Sequence, residues 1–269
     1  MSRAIIVLIL CSIIIPGSVK SQNNPSLIAY EDSLLILYQA ILKETPFNRE
    51  SASSHFYNKF YQVIEKESSF AYSFSKLEKI GKIYSSDQTI RIYSWNIPFG
   101  ADDNLYFGIL QYYSKSKNKY LSVKLNEPII SENSNLNTWQ GSLCYEIIST
   151  KYAGKKYYTL LSLDLHNSLS NKKRIDVIAF DDEDCPYFCE KLIFYNNKLV
   201  DNLEFQYNEK VIMSLRYNKD KKMIVFDHLS PDKSSLNNNY EFYGPDFTYD
   251  ALKFEKGIWV HIGNIDITN

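Results

Sequence analysis

Apolar residues along this chain recur first at helical spacing and then in strict alternation. Leu27, Tyr30, Leu34, Leu37 and Ile41 fall at three- and four-residue steps, which places them on one face of a helix. Asn24 is a good N-cap for it, Pro25 suits the first helical position, and Thr45-Pro46 stops it. A second amphipathic stretch, about 50–66, gathers Phe56, Phe60, Val63 and Ile64 on one side and turns Asn58, Gln62 and Glu65 away. Residues 68–76 read either as helix or as an extended lead-in. From Lys79 onward the period is 2. Residues 79–84 and 89–96 form a hairpin around Ser85-Ser86-Asp87-Gln88, with Ile90 and Ile92 on one face and Arg91, Tyr93 and Trp95 on the other. Further strands are expected at 106–113, 119–125, 141–150, 156–165, 174–180, 191–195, 203–207, 212–217, 222–229, 250–255 and 258–262. The short turns between them carry Asn, Asp, Lys, Ser and Gly, so neighbours in sequence should be antiparallel neighbours in space.

The expected fold is therefore α+β and mostly β: two amino-terminal helices packed on a large antiparallel β meander that closes as a barrel or a curved sheet. Two similar hairpins, at 85–88 and 218–221, would suit propeller blades, but the steady repeat of ~40 residues that blades need is missing. Three segments follow: 1–21 as a signal peptide, 22–76 as an amino-terminal helical segment, and 77–269 as an antiparallel β domain.

The leader reading rests on Arg3, an apolar run from Ala4 to Ile15, the Pro16-Gly17 exit, and Val19-Lys20-Ser21 ahead of a cut before Gln22. The run is shorter than the ~20 apolar residues that span a bilayer, so membrane contact is expected only through an uncleaved signal. Leu8-Ile9-Leu10-Cys11 has the outline of a lipoprotein signal. Leu10 is too large for the position before a lipidated cysteine, however, and the apolar run continues past Cys11. The expected location is periplasmic or extracellular, after cleavage near Ser21.

Without the leader, 248 residues remain, with 28 basic and 31 acidic side chains and a net charge of −3. That is enough chain for one large core, and the balance offers nothing to nucleic acid. The 22 Tyr and 15 Phe favour strands. Cys144, Cys185 and Cys189 allow one internal disulfide at most. Cys185 and Cys189 could close a loop or one helical turn, whereas four residues along a straight strand span ~13 Å, too far to bridge.

Several phrases, in order, carry a resemblance: Arg91-Ile92-Tyr93-Ser94-Trp95-Asn96-Ile97-Pro98, Trp139-Gln140-Gly141-Ser142-Leu143-Cys144-Tyr145, Tyr157-Tyr158-Thr159-Leu160-Leu161, Met223 to Pro231, and Tyr243-Gly244-Pro245-Asp246-Phe247-Thr248-Tyr249-Asp250. From Lys79 to the carboxyl end the chain resembles an uncharacterised family of exported proteins of Gram-negative bacteria. The resemblance implies export and a shared fold and supplies no catalytic residue. Where relatives continue with a Gly-Trp-Asp-Gly turn, this chain has Ser162-Leu163-Asp164-Leu165-His166.

Candidate chemistry concentrates near the carboxyl end, where Asp227, His228, Asp246, Asp250 and Tyr243 could form a His-carboxylate acid/base group or a hard-metal site. On a strand, Asp227 and His228 project to opposite faces, and His228 shares its face with Ile224 and Phe226 as a core histidine would. Asp181-Asp182-Glu183-Asp184 could offer calcium ligands through Asp181, Asp182 and Asp184, but it lacks alternating spacing and a central Gly, and reads equally as a solvated turn. No Gly-x-Ser-x-Gly, His-Glu-x-x-His or phosphate-loop pattern occurs. Trp95, Trp139 and Trp259 are possible stacking platforms, and Arg91, Tyr93 and Trp95 share a face suited to binding, with Tyr243 as a further contact. The sequence thus supports a non-catalytic exported protein, with no cofactor, that binds an unknown protein or glycan partner. The alternatives are a carboxylate-dependent hydrolase of envelope or extracellular carbohydrate, and a structural component of an envelope complex. In the last case the helices would be the docking element, removable over 24–66 without unfolding the strands.

Overall fold

The computed structural model describes residues 24–100, 103–125, 139–189 and 191–266, so the leader and its cleavage site lie outside the described residues. Helix α1 (Pro25–Lys43) starts where its cap allows: Asn24 Oδ1 accepts from the Ser26 amide at 3.1 Å, and Pro25 occupies the first turn. Helix α2 (Pro46–Ile64) begins on a second proline. A short 3-10 turn at Glu67–Ser69 and a series of turns then lead to the strands, which resolves 68–76 as connection. No helix among the described residues is long and apolar enough to cross a membrane.

Among the described residues, fifteen strands form three sheets. The first is a plain antiparallel meander of β1 (Gly81–Tyr84), β2 (Ile90–Pro98), β3 (Asn104–Ser114) and β4 (Lys119–Lys124). The second holds β5 (Leu143–Tyr152), β6 (Lys155–Asp164) and β7 (Ser170–Phe180), with the short β8 (Pro186–Phe188) also on β7. The chain then contributes β9 (Ile193–Tyr195) and β10 (Lys198–Val200) to the third sheet and returns with β11 (Leu203–Asn208) to pair with β7. It finishes in the third sheet with β12 (Leu215–Asn218), β13 (Met223–Pro231), β14 (Tyr243–Glu255) and β15 (Ile258–Ile262). Among the described residues all pairings are antiparallel except β15 with β9, where Trp259 lies opposite Ile193.

No closed barrel forms among the described residues; the sheets stack face to face. Helices, first sheet, second sheet and third sheet make four layers with three apolar interfaces. Alternation explains this. On β2, Ile90 and Ile92 face the second sheet, while Tyr93, Trp95 and Ile97 face the helices. On β6, Tyr158 and Leu160 face the first sheet and Leu161 faces the third. A sheet that is apolar on both faces has to be covered twice.

The helices share one core with the first sheet. Phe56 and Phe60 of α2 lie 5.6 and 5.8 Å, centroid to centroid, from the Trp95 ring, and all three side chains are fully buried. Burying one such side chain contributes roughly 1.5–3 kcal/mol. Polar ties fix the seat: Tyr57 Oη donates to the Gly108 carbonyl at 2.7 Å, Tyr61 Oη to that of Ser122 at 2.8 Å, and Gln111 Nε2 to that of Ile64 at 2.9 Å. Between the first and second sheets, Gly108 makes room for Trp139, whose ring atoms would lie 2.9 Å from a Cβ added there.

Candidate functional site

The carboxyl-terminal candidates do not form one site. Asp227 Oδ2 accepts from the Ser214 amide at 2.6 Å and pins the loop before β12. His228 Nδ1 lies 2.8 Å from Asp246 Oδ2, and Asp246 Oδ1 accepts from both the amide and the hydroxyl of Thr248. Burial works against ionisation of Asp246, but the Thr248 and His228 hydrogen bonds outweigh it and hold the carboxyl below its ordinary value. The expectation of a core histidine at 228 is overturned: a register shift between Asp227 and Leu229 turns the side chain outward, leaving it 46% exposed. Asp250 is buried, its Oδ1 accepting from the Asn264 amide at 3.0 Å. Its neighbour is His261, absent from the sequence candidates, whose Nε2 sits 3.2 Å from Asp250 Oδ2 without hydrogen-bond alignment. His261 also stacks on Tyr195, centroids 4.4 Å apart. Period 2 on β15 puts His261 with Trp259 on the inward face, which is the signal that could have found it. Tyr243 is half-buried, its Oη accepting from the Asn238 amide at 3.1 Å.

Arg91, Tyr93 and Trp95 do share a face, but that face is the helix seat, and each is at most 1% exposed. A binding platform there is corrected to core. The Arg91 guanidinium donates to the carbonyls of Phe70 at 3.0 Å and Tyr72 at 2.6 Å, between the rings of Tyr84 and Tyr93. Trp139 and Trp259 are likewise buried.

A different place is concave. Where the turns of the first sheet meet those of the second, an open cleft of about 670 Å³ is lined by Thr89, Tyr113 and Lys115 on one side and Lys155, Tyr187 and the acidic turn on the other. It is roomier than the grooves beside the helices, of about 370 and 330 Å³. Ile90, Tyr158 and Phe180 also line it, Tyr158 and Phe180 meeting edge to face. Two polar clasps join the sheets there. At one, Asp87 Oδ2 accepts from Lys156 Nζ at 2.6 Å, while its Oδ1 accepts from the hydroxyls of Ser85 and Thr89, both at 2.7 Å. Burial opposes ionisation of Asp87, but the bonds from Lys156, Ser85 and Thr89 prevail and hold the carboxyl far below its ordinary value. At the other, Asp184 Oδ2 accepts from Ser114 Oγ at 2.9 Å and from the Ser116 amide at 2.8 Å.

The acidic turn thus has separate tasks for its members. Asp181 Oδ1 accepts from the amides of Glu183 and Cys185, closing the turn on itself. Asp184 is a clasp, and Asp182 is exposed on the lip. Among the described residues no group of three or more His, Cys, Asp or Glu side chains could hold a metal ion. Cys185 and Cys189 flank β8 as free thiols, and Cys144 is free and buried. Tyr113 and Tyr187 were not among the sequence candidates. Tyr113 is 37% exposed, its ring braced by Tyr120 and its Oη donating to Asn118 Oδ1 at 2.5 Å. Lys155 both donates to Tyr187 Oη and lies over the Tyr187 ring.

No protein-family model, curated protein or solved structure matches this chain.

Proposed function

We propose that this is an exported, non-catalytic binding protein and that the cleft between the first and second sheets is its binding site. One observation carries the reading. The cleft is pre-shaped, clasped across two sheets by Asp87 with Lys156 and by Asp184 with Ser114, and it presents tyrosines from both. A site already held in its bound shape loses little entropy on binding. Its volume lies within the ~300–1,000 Å³ usual for ligand pockets. The hydrolase alternative loses the residues that motivated it, because Asp227, Asp246 and Asp250 are spent on amides, Thr248 and histidines, and none of them lines this cleft. Export and kinship with the uncharacterised Gram-negative family belong to the same proposal, supported by the leader and the phrases that carry the resemblance.

The test is amide chemical-shift mapping of the mature chain against a pool of neutral and acidic oligosaccharides and a mixed peptide pool. Each incubation is also assayed for products by mass spectrometry. Shifts clustered at Thr89, Gly154 and Tyr187 with every ligand recovered intact are expected. Ligand turnover, or shifts confined to another face, would overturn the reading.

A further inference from the structure

We infer that the cleft takes an uncharged, hydroxyl-rich ring ligand, a short neutral oligosaccharide, an inference that rests on the cleft being the binding site. The charges lining it balance, three carboxylates against three ammonium groups, and four of the six are hydrogen-bonded within the protein. Lys156 is held by Asp87, and Lys155 by Tyr187. Asp184 is held by Ser114 and Ser116, and Asp181 by the amides of its own turn. What remains is one side chain of each sign on the lip, Lys115 and Asp182, both exposed. An anionic ligand would therefore approach three carboxylates and a cationic one three ammonium groups, and beyond the single exposed counter-charge on the lip each further one is already hydrogen-bonded within the protein.

The rest of the lining suits rings that are apolar on one face and hydroxylated at the rim. Tyr113 comes from the first sheet, Tyr187 and Phe180 from the second, and all three are partly accessible. Aromatic faces can cover the C–H face of a sugar, while the carboxylate of Asp182, exposed on the lip, can accept from the hydroxyls of its rim. A peptide strand fits less well. The turns along the cleft close their backbone bonds on themselves, Gln88 amide to Ser85 carbonyl and Asp184 amide to Asp181 carbonyl, so they offer no ladder for an added strand.

The experiment is calorimetric titration, paired with amide shift mapping. Its probes are cello-, chito- and malto-tetrasaccharide, a sulfated and a uronate oligosaccharide, and a mixed peptide pool. At least one neutral tetrasaccharide is expected to bind with shifts at Thr89, Gly154 and Tyr187. Its affinity should change less than about twofold between about 50 and 300 mM salt, because no counter-charge is released. Tyr113→Ala and Tyr187→Ala should each weaken it about tenfold or more, and Tyr113→Phe should keep most of the parent affinity. If only charged glycans or peptides bind, with shifts at those same amides, the cleft stands as the site and the neutral-sugar assignment falls. Shifts confined to another face, or no binding by any probe, would overturn both.

Discussion

Asp184 reaches out of the second sheet to accept a hydrogen bond from Ser114 of the first, at 2.9 Å, and in doing so closes one end of the cleft. The Ser116 amide adds a second donor to the same oxygen and is the largest cause of the lowered Asp184 pKa, ahead of the opposing effect of burial. Because the folded value is depressed, the stabilisation is complete above the ordinary carboxylate range and drains away as pH falls through the folded value. Asp184→Ala should cost roughly 1–2 kcal/mol at neutral pH, the usual range for losing a charge-assisted bond of this kind at a part-exposed site. Urea midpoints at pH 7 and pH 3 check this, the difference between variant and parent shrinking at the lower pH. An equal difference at both would show that the carboxylate charge plays no part.

Asp176 predicts the opposite slope. It projects from β7 toward the first sheet beside Arg174, whose Nε is 3.9 Å away and whose main partner is Glu204 at 2.7 Å. Burial raises its pKa to about 6 from 3.8, with Arg174 pulling it down and Glu204 adding to the rise. A raised carboxyl gives full stability while protonated, below about pH 4, and loses it as pH climbs through about 6. The side chain keeps 14% of its exposure, so the cost at neutral pH is set at about 2 kcal/mol. Asp176→Asn should recover about that much at pH 7.5 and change little at pH 4, read from urea midpoints. Destabilisation at both pH values would mean that Arg174 depends on the Asp176 charge more than on Glu204.

The helix pair cannot be a detachable docking element, because Phe56 and Phe60 cover Trp95 and Tyr93 in a single core. Phe60 has 0% exposure, and removing a buried Phe ring typically costs 3–5 kcal/mol. Phe60→Ala should therefore lower the denaturation midpoint by an amount of that order. A chain lacking 24–66 should lose the dispersion of its strand amides in an NMR spectrum. A well-dispersed spectrum from the shortened chain would refute the shared core.

Both helices and most strands were legible because their faces are one-sided and long enough to show a period. Strands of three residues, such as β8 and β10, carry too few positions for alternation, and Gly244-Pro245 reads as a turn although it lies in β14. The run Tyr157 to Leu163 on β6, apolar at five of seven positions, is a sign of two-sided burial, yet which layer covers which face is a matter of tertiary packing. The same limit applies to telling a covered aromatic face from an open one. Tyr93 and Tyr113 are both strand tyrosines in sequence, but α2 covers the first, whereas the second stands at the end of β3 beside Tyr120 and keeps 37% of its exposure. The outward turn of His228 is not legible in the sequence because a bulge changes parity without leaving a mark in composition.

The thiols test the extended form of β8 and the leader together. Cys185 and Cys189 bracket Pro186–Phe188, and four residues of strand hold their backbones ~13 Å apart, beyond the reach of a disulfide. Protein recovered from an oxidising compartment should therefore still contain free thiols. Cys144 and Cys189 are buried, and burial pushes each thiol up to about 12, so neither offers thiolate at neutral pH. Cys185 is half-buried, and its pKa is also raised, first by burial and then by Asp181, so it should react first but slowly. Alkylation in denaturant followed by mass spectrometry should find three labels on a chain beginning at Gln22, whereas a chain retaining its leader would carry a fourth on Cys11. A linked Cys185–Cys189 peptide would show that the β8 segment bends back on itself in solution, and the adjoining wall of the cleft, which carries Tyr187, would have to be redrawn with it.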